Sequence, residues 1–209
     1  VTERNQKALS LRGTRGGREP LKAPLFELGQ RELTPTEKGT LIHDFMMRLD
    51  LRQAALHYEE GSIGSLGRYL DKQLDWAEER QIITREERDL IPKEKILRFF
   101  QSPIGQRALR SPELQKERPF TLLRSIIGED VLVQGIIDCF FREGDQLVLL
   151  DYKTNAVRNP ENPLELASIG EQYREQLAVY REALEESTGR KVKESFLYLF
   201  GADRELQVE

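Results

Sequence analysis

Apolar positions along the chain fall into two regimes. From Thr34 to about residue 110 they recur at three- and four-residue steps, the spacing of one helix face; from about residue 117 to 153 they form nearly continuous β-rich runs. Thr34-Pro35-Thr36-Glu37 opens the first regime. Thr34 suits an N-cap, Pro35 the first helical position, and Glu37 closes a capping box. Leu41, Ile42, Phe45, Met46 and Leu49 then form one stripe, and Leu66, Tyr69, Leu70, Leu74 and Ala77 another. Residues 84–90, with Thr84 as cap, and 93–101 predict further helices.

The second regime predicts a strand from Phe120 to Ile127, a turn at Gly128-Glu129-Asp130, a strand through VLVQGIIDCFF, a turn at Glu143-Gly144-Asp145, and a strand through QLVLLDYK. These runs are apolar on both faces, as in a sheet covered by helices on both sides. Residues 165–187 return to helical spacing through Leu166, Ile169, Tyr173, Leu177, Tyr180 and Leu184, and SFLYLFG at 195–201 predicts the last clear strand. The stretch before Thr34, which includes LRGTRGGREPLKAP, has no apolar period, so residues 1–32 are expected to form a linker from a preceding domain.

Composition narrows the function classes. With 38% hydrophobic and 33% charged residues in 209, the chain has enough apolar material for a core and is not of disordered type. No run reaches the roughly eighteen apolar residues of a membrane span, so no membrane partner is expected. Cys139 is the single cysteine, which excludes an internal disulfide and a self-contained four-cysteine iron–sulfur or zinc site. A lone thiol fits a reducing cytoplasm. The formal charge of −4 argues against a free-standing DNA binder, whereas a DNA enzyme held in place by a larger partner needs no basic excess. The start at Val1 reads as a piece of a longer polypeptide.

Candidate chemistry lies in the hairpin. Gly144-Asp145 suits a two-residue turn, which pairs Glu143 with Gln146. Counting outward residue by residue, Asp138 comes to face Asp151. Opposed side chains have β-carbons about 5 Å apart, and like charges there repel. A divalent cation offsets the repulsion, and oxygen ligands suit magnesium or manganese. Lys153, two residues beyond Asp151, points to the same face and can hold an attacking water or stabilise an oxyanion. The carbonyl of Tyr152, between them, is a further candidate ligand. Isolated buried charges are costly, so three of them interrupting apolar runs point to a site more than to a salt-bridged rim.

These residues resemble the RecB-type nucleases of the PD-(D/E)XK superfamily. Asp138, followed thirteen residues on by Asp151-Tyr152-Lys153-Thr154, looks like the family core. Gly39-Thr40-Leu41-Ile42-His43 resembles its upstream helix, Gly135-Ile136-Ile137-Asp138 its G-x-x-D strand, and Tyr173, Gln176-Leu177 and Tyr180 its Y-x-x-Q-L-x-x-Y helix. Within the family the chain is most similar to the C-terminal nuclease domain of AddA-type bacterial helicase–nucleases. The resemblance implies an α/β, restriction-endonuclease-like core, a mixed central sheet flanked by helices, over residues 33–209. Residues 33–115 would be its helical part and 116–209 its sheet and catalytic core.

It further implies DNA phosphodiester hydrolysis with Mg²⁺ (Mn²⁺ or Ca²⁺ as substitutes), with His43, Asp138, Asp151 and Tyr152 as ligands and Lys153, Asp151 and Asp138 as catalytic residues. Gln176, Tyr180, Tyr173 and Glu117 are supporting candidates, although a solvated charge is the blander reading for Glu117 and core packing for the tyrosines. Expected partners are DNA, single-stranded at the site, a helicase domain of the same polypeptide and an AddB-like second subunit, in repair of double-strand ends in the bacterial cytoplasm, at the nucleoid. Some relatives carry an iron–sulfur cluster, for which Cys139 alone cannot suffice. No G-x-x-x-x-G-K-[ST] loop occurs, so a motor would lie outside these residues. The alternative is a catalytically silent nuclease fold that binds DNA or serves as a scaffold. His57 is assigned no role, and Arg68, Lys93, Lys95, Arg98, Arg107 and Arg110 read as solvated helical surface.

Overall fold

The computed structural model describes residues 8–10, 34–59, 63–126 and 129–209. Six helices precede most of the sheet: α1 (Pro35–Arg48), α2 (Leu51–Glu59), α3 (Ile63–Glu79), α4 (Arg85–Leu90), α5 (Lys93–Gln101) and α6 (Pro103–Arg110). The anticipated capping box of Thr34 with Glu37 forms, and Thr84, expected as a cap, forms a second box with Glu87, so each helix starts where its side chains satisfy the orphan N–H groups. The stripe of α3 is buried as Leu66, Tyr69, Leu70, Leu74 and Ala77.

Among the described residues, six strands make one mixed sheet: β1 (Ala8–Ser10), β2 (Leu114–Ile126), β3 (Glu129–Glu143), β4 (Gln146–Lys153), β5 (Val192–Leu199) and β6 (Arg204–Gln207). β3 pairs antiparallel with β2 from Glu129 to Phe141, with no pair at Asp138, and with β4 over its last five residues. β4 runs parallel to β5, as the intervening helix α7 (Pro163–Thr188) requires of a crossover. β1 pairs parallel with Leu132–Gln134 of β3, on the edge that β4 leaves uncovered. It lies inside the stretch expected as a linker; the rest of residues 1–33, with Ile127 and Gly128, falls outside the described residues.

Several strands differ from the expectation: β3 takes in Glu129, Asp130 and Glu143, expected in turns, and β5 starts at Val192, before the expected residue 195. β2 begins at Leu114, because its polar first half, LQKERP, pairs with β3 although it shows no apolar run. RELQ forms an additional strand, β6, for the same reason: backbone pairing to β5 orders it without an apolar signal.

The sheet separates two cores. Val148, Leu150 and Tyr152 face α1, α3, α5 and α6, while Leu147 and Leu149 face Leu177, Tyr180 and Leu184 of α7. β3 and β2 change sides part-way. Cys139 and Phe141 face the N-terminal helices, yet Ile137 and Val133, of the same parity, face α7. In β2, Leu114 packs with the first core and Phe120 and Leu122 with the α7 side. The reversal falls at Glu117 and Asp138, the position where the β2–β3 ladder lacks a pair. Glu117 takes a left-handed backbone with φ of 49°. Strain of that kind in a non-glycine residue marks a place where the surroundings impose the conformation.

Gly39 fastens α1 to the end of β4. A Cβ there would lie 2.2 Å from Oγ1 of Thr154 and 3.1 Å from its Cβ. Thr is β-branched and stiff, so the contact is not easily relieved. Gly39→Ala is expected to lower stability by about 1–3 kcal/mol through overpacking. Adding Thr154→Ala should recover most of the loss. Thermal melts on the single and double variants check this; failure of the double variant to recover would show that the clash is not the cause.

Candidate active site

The hairpin keeps the register set by its turn, Gly144 supplying φ of 62°, from Glu143 opposite Gln146 to Cys139 opposite Leu150. The ladder ends there, one step short of Asp138 and Asp151. The N–H of Tyr152 instead donates to Oδ2 of Asp138 at 3.0 Å. The two aspartates are therefore not a ladder pair, as simple counting predicts, because the Asp138 carboxylate has taken over a backbone partner. Both are buried, Asp138 at 6% and Asp151 at 1% exposure, and they repel one another.

Three elements converge on Asp138. His43, on α1, brings Nε2 to 2.9 Å from Oδ2 of Asp138. Among the described residues, His43, Glu117 and Asp138 offer ligand atoms that all lie within 4.8 Å of one another. Glu117 thus stands in the site, where sequence weighing favoured a solvated charge. The left-handed turn that aims it left no trace in residue type. Asp151 lies outside this trio. Its Oδ2 pairs with Nζ of Lys153 at 2.5 Å, and its Oδ1 accepts from Nε2 of Gln176 at 3.1 Å.

The α7 side supplies a frame for the lysine. Gln176 also donates to the Tyr180 hydroxyl at 2.9 Å, and its Oε1 lies 3.5 Å from Nζ of Lys153. The Lys153 ammonium sits 4.3 Å from the ring centroid of Tyr173, a cation–π contact, and the Tyr173 hydroxyl donates to Oδ1 of Asn155 at 3.2 Å. One face of α7 thereby fixes both Asp151 and Lys153. Tyr152 points its ring away, edge-on to His43 and Phe99 in the opposite core. Cys139 is buried. Of the basic helical residues, Arg107 pairs with Glu143 and Glu194, Lys93 with Asp71, and Arg98 with Asp203.

Electrostatics follow from this crowding. Burial, then the Asp138 charge, pushes the Asp151 carboxyl up to about 7, against the pull of Lys153 and His43. Burial disfavours charge on His43, but its hydrogen bond to Asp138 and the surrounding carboxylates outweigh that and raise its pKa. Burial likewise opposes charge on Lys153, and the Asp151 carboxylate overcomes it, so the lysine stays cationic. An imidazole and two carboxylates with ligand atoms within 4.8 Å of one another, beside a further carboxyl whose pKa burial and the Asp138 charge raise, form a donor set that suits a divalent ion.

The family model of the PD-(D/E)XK nuclease superfamily matches residues 15–208. The chain belongs to this superfamily. The nuclease domain is 38% identical over 194 residues to an ATP-dependent helicase/nuclease subunit of Alkaliphilus oremlandii, covering 88% of this chain and 15% of that protein. To the corresponding protein of Clostridium botulinum (strain Langeland) it is 34% identical over 201 residues, covering 90% of this chain and 14% of that protein. The nuclease domain thus spans 15% or less of the length of these relatives. Among the described residues, no helix is long and apolar enough to cross a membrane.

Proposed function

We propose that this domain hydrolyses DNA phosphodiester bonds at the His43–Asp138–Asp151–Lys153 constellation with Mg²⁺ as its native ion. The observation that carries the reading is the meeting of His43, Glu117 and Asp138 within ligand distance of one another, next to a lysine paired with a second buried aspartate. His43, Asp138, Asp151 and the Tyr152 carbonyl would hold the ion, and Glu117 would hold it directly or through water. A bound divalent cation supplies a Lewis acid for a phosphate oxygen and a water of lowered pKa.

The chain's own groups do the rest. Lys153, kept charged by Asp151 and fixed by Gln176 and Tyr173, positions a water and stabilises the negative charge that grows on the phosphate. His43 must shed its proton to serve as a ligand, and so must Asp151, so metal loading releases protons and strengthens with pH. Contacts to phosphate in preference to base edges imply little sequence preference.

Similarity to helicase/nuclease subunits supports a wider role. In it the domain is the nuclease part of a bacterial, cytoplasmic helicase–nuclease that trims broken DNA ends. A helicase domain of the same polypeptide would feed it single strands, and an AddB-like protein would be its partner. A nicking assay on single-stranded DNA tests the core of this. Cleavage is expected with Mg²⁺ or Mn²⁺ and none with EDTA. Binding of DNA without cleavage under any divalent ion would point to a silent nuclease fold instead.

A further inference from the structure

α1 carries His43 to the sheet, and the helix is held on both sides of that residue. Gly39 sits under Thr154 one turn before it. At the other end, the last carbonyls of the helix have no partner within it. The Lys116 ammonium takes them: it donates to the carbonyl oxygens of Met46 at 3.2 Å, Met47 at 2.7 Å and Leu49. Lys116 is the residue before Glu117 and pairs across the ladder with Cys139, the residue after Asp138. One side chain therefore ties the α1 terminus to the point where β2 and β3 reverse their facing.

From this geometry we infer that Lys116 is a positioning residue for the metal site, setting the spacing of His43 against Glu117 and Asp138. The inference rests on the metal-site reading above. A half-buried ammonium is costly to desolvate, and three carbonyls at the negative end of a helix dipole offset that cost. Without it the C-terminal end of α1 loses its tie to β2, and His43 gains freedom relative to two ligands on different elements. Metal ligation needs all donors at once, so the loss falls on ion affinity more than on global stability.

Mn²⁺ binding to the full chain, titrated by electron paramagnetic resonance without DNA, separates the possibilities. Lys116→Met, which keeps the stem and removes the donors, is expected to raise the Mn²⁺ Kd about tenfold. Lys116→Arg, which restores donors, should return it to within about threefold of the parent. Val192→Ala truncates a buried residue at the far end of β5; it should lower Tm and leave the Kd unchanged. If Lys116→Met does not fold, Lys116→Gln, whose shorter side chain and neutral amide cannot span the three carbonyls, is read in its place against the same control and is expected to raise the Kd by the same factor. An unchanged Kd in the Met or Gln variant overturns the proposal, as does an equal weakening in Val192→Ala at matched loss of Tm. Failure of the metal-site reading is distinguishable: there the parent itself would not bind Mn²⁺, or would bind it equally well after His43→Ala.

Discussion

Asp151→Asn is expected to abolish cleavage and, in metal-free solution above neutral pH, to make the domain more stable. Both effects come from one group. The side chain is 1% exposed and shares its surroundings with Asp138. Loss of its negative charge removes a proposed metal ligand and leaves Lys153 without its counter-ion, so the rate should fall at least about a thousandfold, as for loss of a central electrostatic element. Stability moves the other way. A carboxyl raised from 3.8 to about 7 binds its proton more tightly in the folded chain than in the unfolded one. Its contribution is therefore fully present below about pH 4 and is lost as pH rises through about 7, a change on the order of 4 kcal/mol.

Asparagine mimics the protonated form at every pH and lacks this loss. With a melting shift of about 2–4 °C per kcal/mol for a domain of this size, the variant should melt several degrees above the metal-free parent at pH 8 and close to it at pH 4. Saturating Mn²⁺ should erase the difference by stabilising the parent alone. Melting curves across pH, with and without Mn²⁺, give the answer. A variant that still cleaves, or a parent whose metal-free Tm does not fall between pH 4 and 7 relative to the variant, would refute this account.

Lys153→Met should reduce cleavage by roughly 100- to 1,000-fold, the usual cost of losing one group that stabilises developing charge. Methionine keeps an apolar stem beside the Tyr173 ring but carries no cation. DNA affinity should change little, since the Lys153 ammonium is already paired with Asp151 and backbone binding of DNA is shared among many cationic groups. A second signature follows from the ion pair. Lys153 lowers the Asp151 pKa, so in its absence the pH at which metal half-saturates the site should rise. Single-turnover rates and Mn²⁺ titrations at several pH values test both. Unimpaired cleavage by Lys153→Met would remove the lysine from the chemistry.

Much of the architecture is legible along the chain because local rules and burial agree there. Thr34 and Thr84 start helices with their own side chains, α3 buries the stripe its spacing announces, and Gly144-Asp145 fixes the hairpin register as far as Cys139 and Leu150. Asp138, Asp151 and Lys153 stand out by type and spacing, since charged groups that interrupt apolar runs need a reason, whereas His43 and Gln176 enter only through the resemblance of their helices to the family's. RELQ and the first half of β2 escape such reading, because pairing with a neighbouring strand orders them whatever their polarity.

Tertiary structure alone decides how these groups meet. The switch of facing at Glu117 and Asp138 depends on a left-handed backbone that no residue type there signals, and it turns a glutamate of ordinary sequence context toward His43 and Asp138. The grip of Lys116 on the end of α1, 67 to 70 residues earlier in the chain, and of Thr154 on Gly39, cannot be derived from periodicity. Spacing along a helix or strand specifies which side chains share a face. Which faces then converge is set by packing between segments remote in sequence, and there the ligand geometry of this nuclease domain is made.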